Sequence, residues 1–304
     1  MLTSAAPRTV VVVGATGNQG SGVVRALLTT EGSRWLVRGI TRDPNSAKAK
    51  SLLADYQTID NRLTLVTGDV YDKVSLRVAL AGAYGVFAVT SESHPGKVLM
   101  KEEEMQYEIE AGRNLVLVAE ECGIEHFVFS SLPDMIKATG GRFRNIHHMN
   151  NKSAIEHVAR EKLSGLTCLI PADGVVRFCF PIPSSQVAQW TDPTRDVGVF
   201  AAILESPQIT SADNMVKTFT RVTGQPAIHE PISAEEFAEL AIPLVGPAFK
   251  RDAKEMMEWA AVTPADKICY GALDAAQDDS FKELGLNASS FEDWLHRSGW
   301  TGPA

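Results

Sequence analysis

A run of β-branched residues, Thr9 to Val13, ends at Gly14, and glycine returns at Gly17 and Gly20 just as the chain turns amphipathic. This Gly14-x-x-Gly17-x-x-Gly20 spacing, set between a strand and a helix, restricts the fold more than any other feature. A tight strand-to-helix turn needs a residue free of Cβ strain. Backbone can approach a pyrophosphate only where no side chain intervenes, and a helix packs closely on a strand only over a small residue. The helix start then offers free N–H groups and a positive dipole end to the phosphates. The stretch from Gly14 to Gly20 therefore predicts a phosphate cradle of the dinucleotide-binding kind.

Downstream of this turn the chain repeats the strand-then-helix alternation that builds a parallel sheet. Strands are predicted at Trp35–Thr41, Leu63–Thr67, Gly85–Val89, Phe127–Ser131 and Thr167–Ile170. Helices are predicted at Gly20–Thr30, Ala47–Asp55, Val74–Leu80, Glu102–Cys122 and Lys152–Glu161. Right-handed crossovers make this an α/β protein with a doubly wound parallel sheet and its ligand at the carboxyl edge of the strands. After Pro171 the texture changes: Pro181, Pro183 and Pro193 interrupt the alternation. Residues 1–170 are read as the dinucleotide-binding domain, and 171–304 as a smaller, mostly helical C-terminal lobe partly interleaved with it. Helices in that lobe are expected at Arg195–Glu205 and Ala212–Thr223. Two more should start at Ser233 and Ser290, where Glu236 and Asp293 complete capping boxes.

Composition excludes several classes. A formal net charge of −8 provides no cationic surface for nucleic acid or for an anionic membrane. Cys122, Cys168, Cys179 and Cys269 show no CxxC or Cys/His metal spacing, so no metal site is read and the cysteines are taken as reduced core thiols. No targeting segment or membrane span is visible, and the expected location is the cytoplasm.

The other strand ends narrow the ligand. Where a protein using NAD would place an acid on the ribose hydroxyls, this chain has Thr41-Arg42-Asp43. Arg42 can grip a 2′-phosphate and stack on adenine, which favours NADP(H), while Asp43 keeps an NAD-type contact open. After the third strand, Asp69 serves either as acceptor for the adenine amino group, with Val70 covering the ring, or as the cap of the next helix.

Taken together, GATGNQG, TRDP, GDVYD, GAYGVFAVTS and HFVFSSLPDMIKATGGR resemble the NmrA-like family, an atypical branch of the short-chain dehydrogenase/reductases in the NAD(P)-binding Rossmann superfamily. The resemblance implies NADP(H), with cofactor contacts at Gly14, Thr16, Gly17, Asn18, Gln19, Gly20, Arg42, Asp69, Val70, Thr90, Ser91, Lys152 and Pro171. It also implies catalytic candidates. The superfamily's Ser and Tyr-x-x-x-Lys pattern falls on Ser131 and on His148-Met149-Asn150-Asn151-Lys152, so histidine stands where tyrosine is usual. An imidazole titrates near neutrality and can act as a general acid. The stretch Asp173–Asp192 is brief where family members carry a longer substrate segment, and Val175, Val176, Phe178 and Phe180 read as a pocket wall.

Two functions fit these residues. One is an oxidoreductase or isomerase acting on a small, largely apolar metabolite of the secondary-metabolism type, with NADPH required even for a net non-redox cyclisation. The other is a non-catalytic sensor of the NADPH/NADP+ ratio that regulates a protein partner. The missing tyrosine favours the second, the apolar wall the first.

Overall fold

The computed structural model describes residues 7–29, 35–56, 61–169, 187–190, 208–229, 231–264, 267–268, 273–274 and 290–301. Six strands form its main sheet: β1 (Thr9–Val13), β2 (Leu36–Thr41), β3 (Leu63–Thr67), β4 (Gly85–Ala88), β5 (His126–Ser130) and β6 (Leu166–Leu169). They lie in the order β3-β2-β1-β4-β5-β6 and all pairs are parallel. Helices α1 (Asn18–Thr29), α2 (Ala47–Tyr56), α3 (Lys73–Leu80), α4 (Tyr107–Glu121) and α6 (His147–Lys162) alternate with the strands, and the short α5 (Met135–Ala138) lies between β5 and α6.

The period of two in β1 explains why both faces are covered. Val11 and Val13 join Leu76, Leu115, Phe127 and Ile155 in one core, whereas Val12 joins Val23, Leu28, Val37 and Phe87 in the other. Strand order reverses between β1 and β4, so the loops after these two strands open on a crevice. Gly14 and Val89 flank it: a Cβ on Gly14 would lie 3.4 Å from the Val89 side chain.

Beyond the main sheet, β7 (Val187–Trp190) pairs antiparallel with β8 (Gln208–Ser211), and β9 (Lys267–Ile268) with β10 (Leu273–Asp274). The helices here are α7 (Ala212–Thr223), α8 (Ala234–Val245), α9 (Lys250–Ala260) and α10 (Phe291–Ser298). Ser233 with Glu236 and Ser290 with Asp293 form the expected capping boxes. Arg221 of α7 grips Glu292 of α10 through two bonds of 2.6 Å. The predicted boundary at 170/171 and the predicted helix Arg195–Glu205 lie outside the described residues.

The elements differ from the sequence reading in three places, two of them with a cause visible in the contacts. The helix expected over Glu102–Cys122 is a 3-10 turn at Glu102–Gln106 followed by α4. Glu104 folds back there to accept from the N–H groups of Met100 (2.7 Å) and Lys101 (3.1 Å). Helix α6 begins at His147, well before the expected Lys152, because its cap comes from a distant segment. Helix α9 was not anticipated, and α8 continues through Pro243. Among the described residues no helix is long and apolar enough to cross a membrane.

Candidate active site

The glycine-rich turn is built from backbone. Gly14 has φ +66°, the N–H of Gly17 returns to the Gly14 carbonyl at 2.8 Å, and that of Ala15 reaches Ile40 at 3.3 Å. A Cβ on Gly20 would stand 2.2 Å from the Gly14 carbonyl oxygen, so α1 rests directly on the turn. Gly14, Gly17 and Asn18 are exposed on the crevice. The N–H groups of Thr16, Asn18, Gln19 and Gly20 donate to no backbone carbonyl among the described residues. Gln19 Oε1 is buried without a donor. Unspent donors at a helix start, beside an unpaired buried acceptor, fit a phosphate-bearing ligand that also carries hydrogen-bond donors.

Arg42 is exposed just past the end of β2 and makes no hydrogen bond or ion pair among the described residues. Its neighbour Asp43 uses Oδ1 to close a local turn onto the N–H of Asn45 at 2.8 Å. Asp69 does likewise, accepting from Tyr71 N at 2.9 Å. The reading of Asp69 as a helix cap is corrected, since α3 is capped by Asp72, whose Oδ1 accepts from Val74 N at 2.9 Å. The Val70 carbonyl is held by Asn114 of α4 at 3.1 Å. Burial, reinforced by the nearby carboxylates of Glu110, Glu108 and Asp69, pushes the Tyr71 phenol up to about 12.

Past β4, Thr90 is buried whereas Ser91 is exposed and bonded to Ser93 at 2.8 Å. Lys152 of α6 reaches Thr90 through the interior. Its ammonium donates to the Thr90 carbonyl (2.8 Å), to Thr90 Oγ1 (3.0 Å) and to Glu108 Oε1 (2.7 Å). Thr90 Oγ1 donates in turn to the same Glu108 oxygen at 2.7 Å. The Glu108 side chain is 0% exposed and that of Lys152 9%. An ammonium carries three protons, and all three are spent here. Glu108 Oε2 is buried with no partner.

Ser131, fully buried just past β5, donates to Glu156 Oε2 at 2.6 Å. Glu156 also receives Arg160 and lies beside Cys168, whose thiol is pushed up to about 12, first by burial and then by the Glu156 charge. His148 sits in the first turn of α6. Its ring Nδ1 lies 2.6 Å from Asp252 Oδ1 in α9, and its backbone N–H donates to Asp252 Oδ2 at 2.9 Å. Neighbouring His147 pairs with Glu102 at 3.2 Å.

The structure thus gathers Gly14 to Gly20 and Thr90 at the switch point, while Lys152, His148 and Ser131 each lie against a carboxylate. Pro171 and the apolar wall Val175, Val176, Phe178 and Phe180 lie outside the described residues. Glu108, Asn114, Glu156 and Asp252 were not foreseen. Two of them carried a signal: Glu108 falls in helical register with the buried Ala111, Gly112 and Leu115, and Asp252 with the core-packed Met256 and Trp259. A charge on an apolar stripe marks a buried partner.

Fold and turn together define an open, doubly wound α/β protein of the Rossmann type, with a glycine-rich turn at its switch point. The NmrA-like family model matches residues 7–197. The chain belongs to the NmrA-like family. Over 162 residues it is 34% identical to the NmrA-like family domain-containing oxidoreductase FrzB of Cladobotryum sp., a match that covers 53% of this chain and 44% of that protein. Cinnamoyl-CoA reductase 1 of Oryza sativa subsp. japonica is 38% identical over 122 residues, covering 40% of this chain and 33% of that one. The chain therefore spans less than half the length of these curated relatives. Among solved structures, the NADPH-dependent quinone oxidoreductase QOR2 of Escherichia coli superposes with a TM-score of 0.67 at 16% identity, covering 96% of this chain and 100% of that one. Citrobacter sp. triphenylmethane reductase gives 0.66 at 17%, covering 95% and 99%. These two likenesses are of fold.

Proposed function

We propose that this chain binds NADP(H) across the switch-point crevice and works as a reductase on a small, largely apolar metabolite. The observation that carries the reading is the set of unspent N–H groups at Thr16, Asn18, Gln19 and Gly20 beside an exposed Arg42. The first group suits a pyrophosphate and the second a 2′-phosphate. At the end of β2 the exposed Arg42 can meet that end of the ligand, while Asp43 turns Oδ1 onto the Asn45 N–H. FrzB being named an oxidoreductase, and the QOR2 and triphenylmethane reductase structures having been solved with NADPH or NADP(H), supports the choice.

When bound, the cofactor would supply hydride from its nicotinamide ring. The chain's residues hold the rest. Gly14, Gly17 and Gly20 keep the turn free of side chains, and Asp69 and Val70 border the adenine end. Lys152 fixes the loop after β4 by tying Thr90 to Glu108, and the exposed Ser91 that follows is the residue this loop offers to the cofactor. Because the three Lys152 protons are spent, its role is to shape the site rather than to deliver a proton.

Calorimetric titration of the purified chain with NADPH, NADP+, NADH and NAD+ tests this. Expected is binding of the phosphorylated pair at least tenfold tighter than NADH and NAD+, accompanied by NADPH consumption with quinone or enone acceptors. Absence of NADPH binding would overturn the reading. Binding with a large preference for one oxidation state, and no turnover of any acceptor, would move the assignment to a redox sensor.

A further inference from the structure

We propose that the cleft between the turn after α5 and the helices α8 and α9 binds a small zwitterion joined to an apolar body, the chemistry of an apolar amino acid or a dipeptide. The cleft measures about 590 Å³, within the range of small-molecule sites. It is lined by Arg142, Phe143, Glu255, Glu258, Val262 and two alanines. None of these is a nucleotide-contact candidate, so the proposal is independent of the reductase reading.

The turn that leads into the cleft is built to present a side chain. Gly140 and Gly141 both take positive φ, +58° and +83°, which a residue with a Cβ would adopt only under strain. Their N–H groups close back on Lys137 and Ile136, and that of Arg142 on Thr139 at 3.1 Å. Thr139 Oγ1 in turn accepts from the Phe143 N–H at 3.1 Å. Arg142 is thereby set at the rim, exposed, with its guanidinium carbon 5.0 Å from the centre of the Phe143 ring. That ring is buried and packs on Trp259 of α9, with 5.8 Å between ring centres. A guanidinium stacked on a ring keeps its N–H fork available to meet a carboxylate with two bonds.

The facing wall, on α9, is acidic. Glu255 is already spent: it receives the Asn145 backbone N–H at 2.8 Å, the Asn145 side-chain amide and the Arg251 guanidinium. Glu258, three residues on, is half-buried and makes no hydrogen bond or ion pair among the described residues. Lys254, four residues earlier on the same helix, feels its charge but bonds to Glu235 at 2.8 Å. Arg142 likewise pairs with no carboxylate among the described residues. Two opposite charges thus border one cleft without bridging it, and Phe143 and the exposed Val262 lie with them. A ligand with a single charge would answer one wall and leave the other unmatched. A zwitterion answers both, its carboxylate on Arg142 and its ammonium on Glu258, with its apolar body over Phe143 and Val262.

The test is calorimetric titration of the full chain with L-phenylalanine, L-alanyl-L-phenylalanine, phenylpropanoate, which lacks the ammonium, and phenethylamine, which lacks the carboxylate. Expected is saturable binding of at least one zwitterion, with both single-charge probes at least tenfold weaker; the tighter of the two zwitterions tells amino acid from peptide. Arg142→Gln and Glu258→Gln should each weaken that zwitterion about tenfold or more, as loss of a charge-assisted hydrogen bond does, while holding the thermal midpoint within about 2 °C. Saturating NADPH should leave its affinity unchanged. No saturation by either zwitterion at about 10 mM, a single-charge probe binding as well, or an affinity unchanged in either variant would overturn the proposal. Displacement by NADPH would also overturn it, by placing the zwitterion in the switch-point crevice. The comparison of probes on the wild type decides even where a variant fails to fold.

Discussion

The two halves of the candidate site are made in opposite ways. The turn from Gly14 to Gly20 is backbone, exposed at Gly14, Gly17 and Asn18, and contained in seven consecutive residues. The inner face of α6 is side chain, buried, and completed by partners that are remote in sequence: Glu108 is 44 residues from Lys152, and Asp252 is 104 from His148. The turn presents unspent donors to a ligand, while the helix face spends its donors internally and is thereby rigid. A site of this kind divides its labour: the local half recognises, and the assembled half sets geometry.

Removing one carboxylate from the assembled half should produce the largest effect. Glu108→Ala leaves the Lys152 ammonium buried and unpaired, and a loss of about 3–5 kcal/mol is expected in urea unfolding. A loss under about 1 kcal/mol would mean that Lys152 escapes to water and that the half is not rigid. In the turn, Gly20→Ala places a Cβ within 2.2 Å of the Gly14 oxygen. The overpacking is expected to cost about 1–3 kcal/mol and to weaken NADPH at least tenfold by calorimetry. Unchanged affinity would show that the turn yields without altering its donors. Arg42→Ala should leave stability within about 0.5 kcal/mol while cutting NADPH affinity roughly tenfold or more, as loss of a charge-assisted hydrogen bond does, and sparing NADH. Equal losses for both would remove Arg42 from the 2′-phosphate.

The smallest effect is one of pH. Cys168, beside Glu156, has its thiol raised to about 12 in the folded chain. An unfolded chain loses that proton first, near the ordinary thiol value of about 8.5. The stabilisation from Cys168 is therefore complete below that value and drains away as pH rises toward 12. Iodoacetamide at pH 8 should modify Cys168 far more slowly in native than in urea-unfolded protein. Equal rates, read by peptide mass spectrometry, would place the thiol in water.

The same division explains which features are legible in the sequence. All six strands of the main sheet were legible because β-branched runs and the turn residues after them are local signals. The α7 span and the capping boxes at Ser233 and Ser290 were legible for the same reason. The start of α6 was hidden because its cap is Asp252, which nothing near His147 announces. Asp69 and Asp72 shared one short turn, and only geometry told the Asx turn from the helix cap. The carboxylates on Lys152 and Ser131 come from α4 and from α6; the first pairing depends on how closely these two helices meet, the second on how α6 lies against the end of β5. Ile155 of α6 occupies the space a Cβ on Gly112 of α4 would need.

Because Asp252 holds both the first turn of α6 and the imidazole beside it, folding of the early part of the chain is unfinished until α9 docks. A fragment cut at residue 197, where the family match ends, would keep every nucleotide-contact candidate of the turn. It would nonetheless lose the anchor of the helix that carries His148 and Lys152, leaving the glycine turn intact beside an unfastened α6.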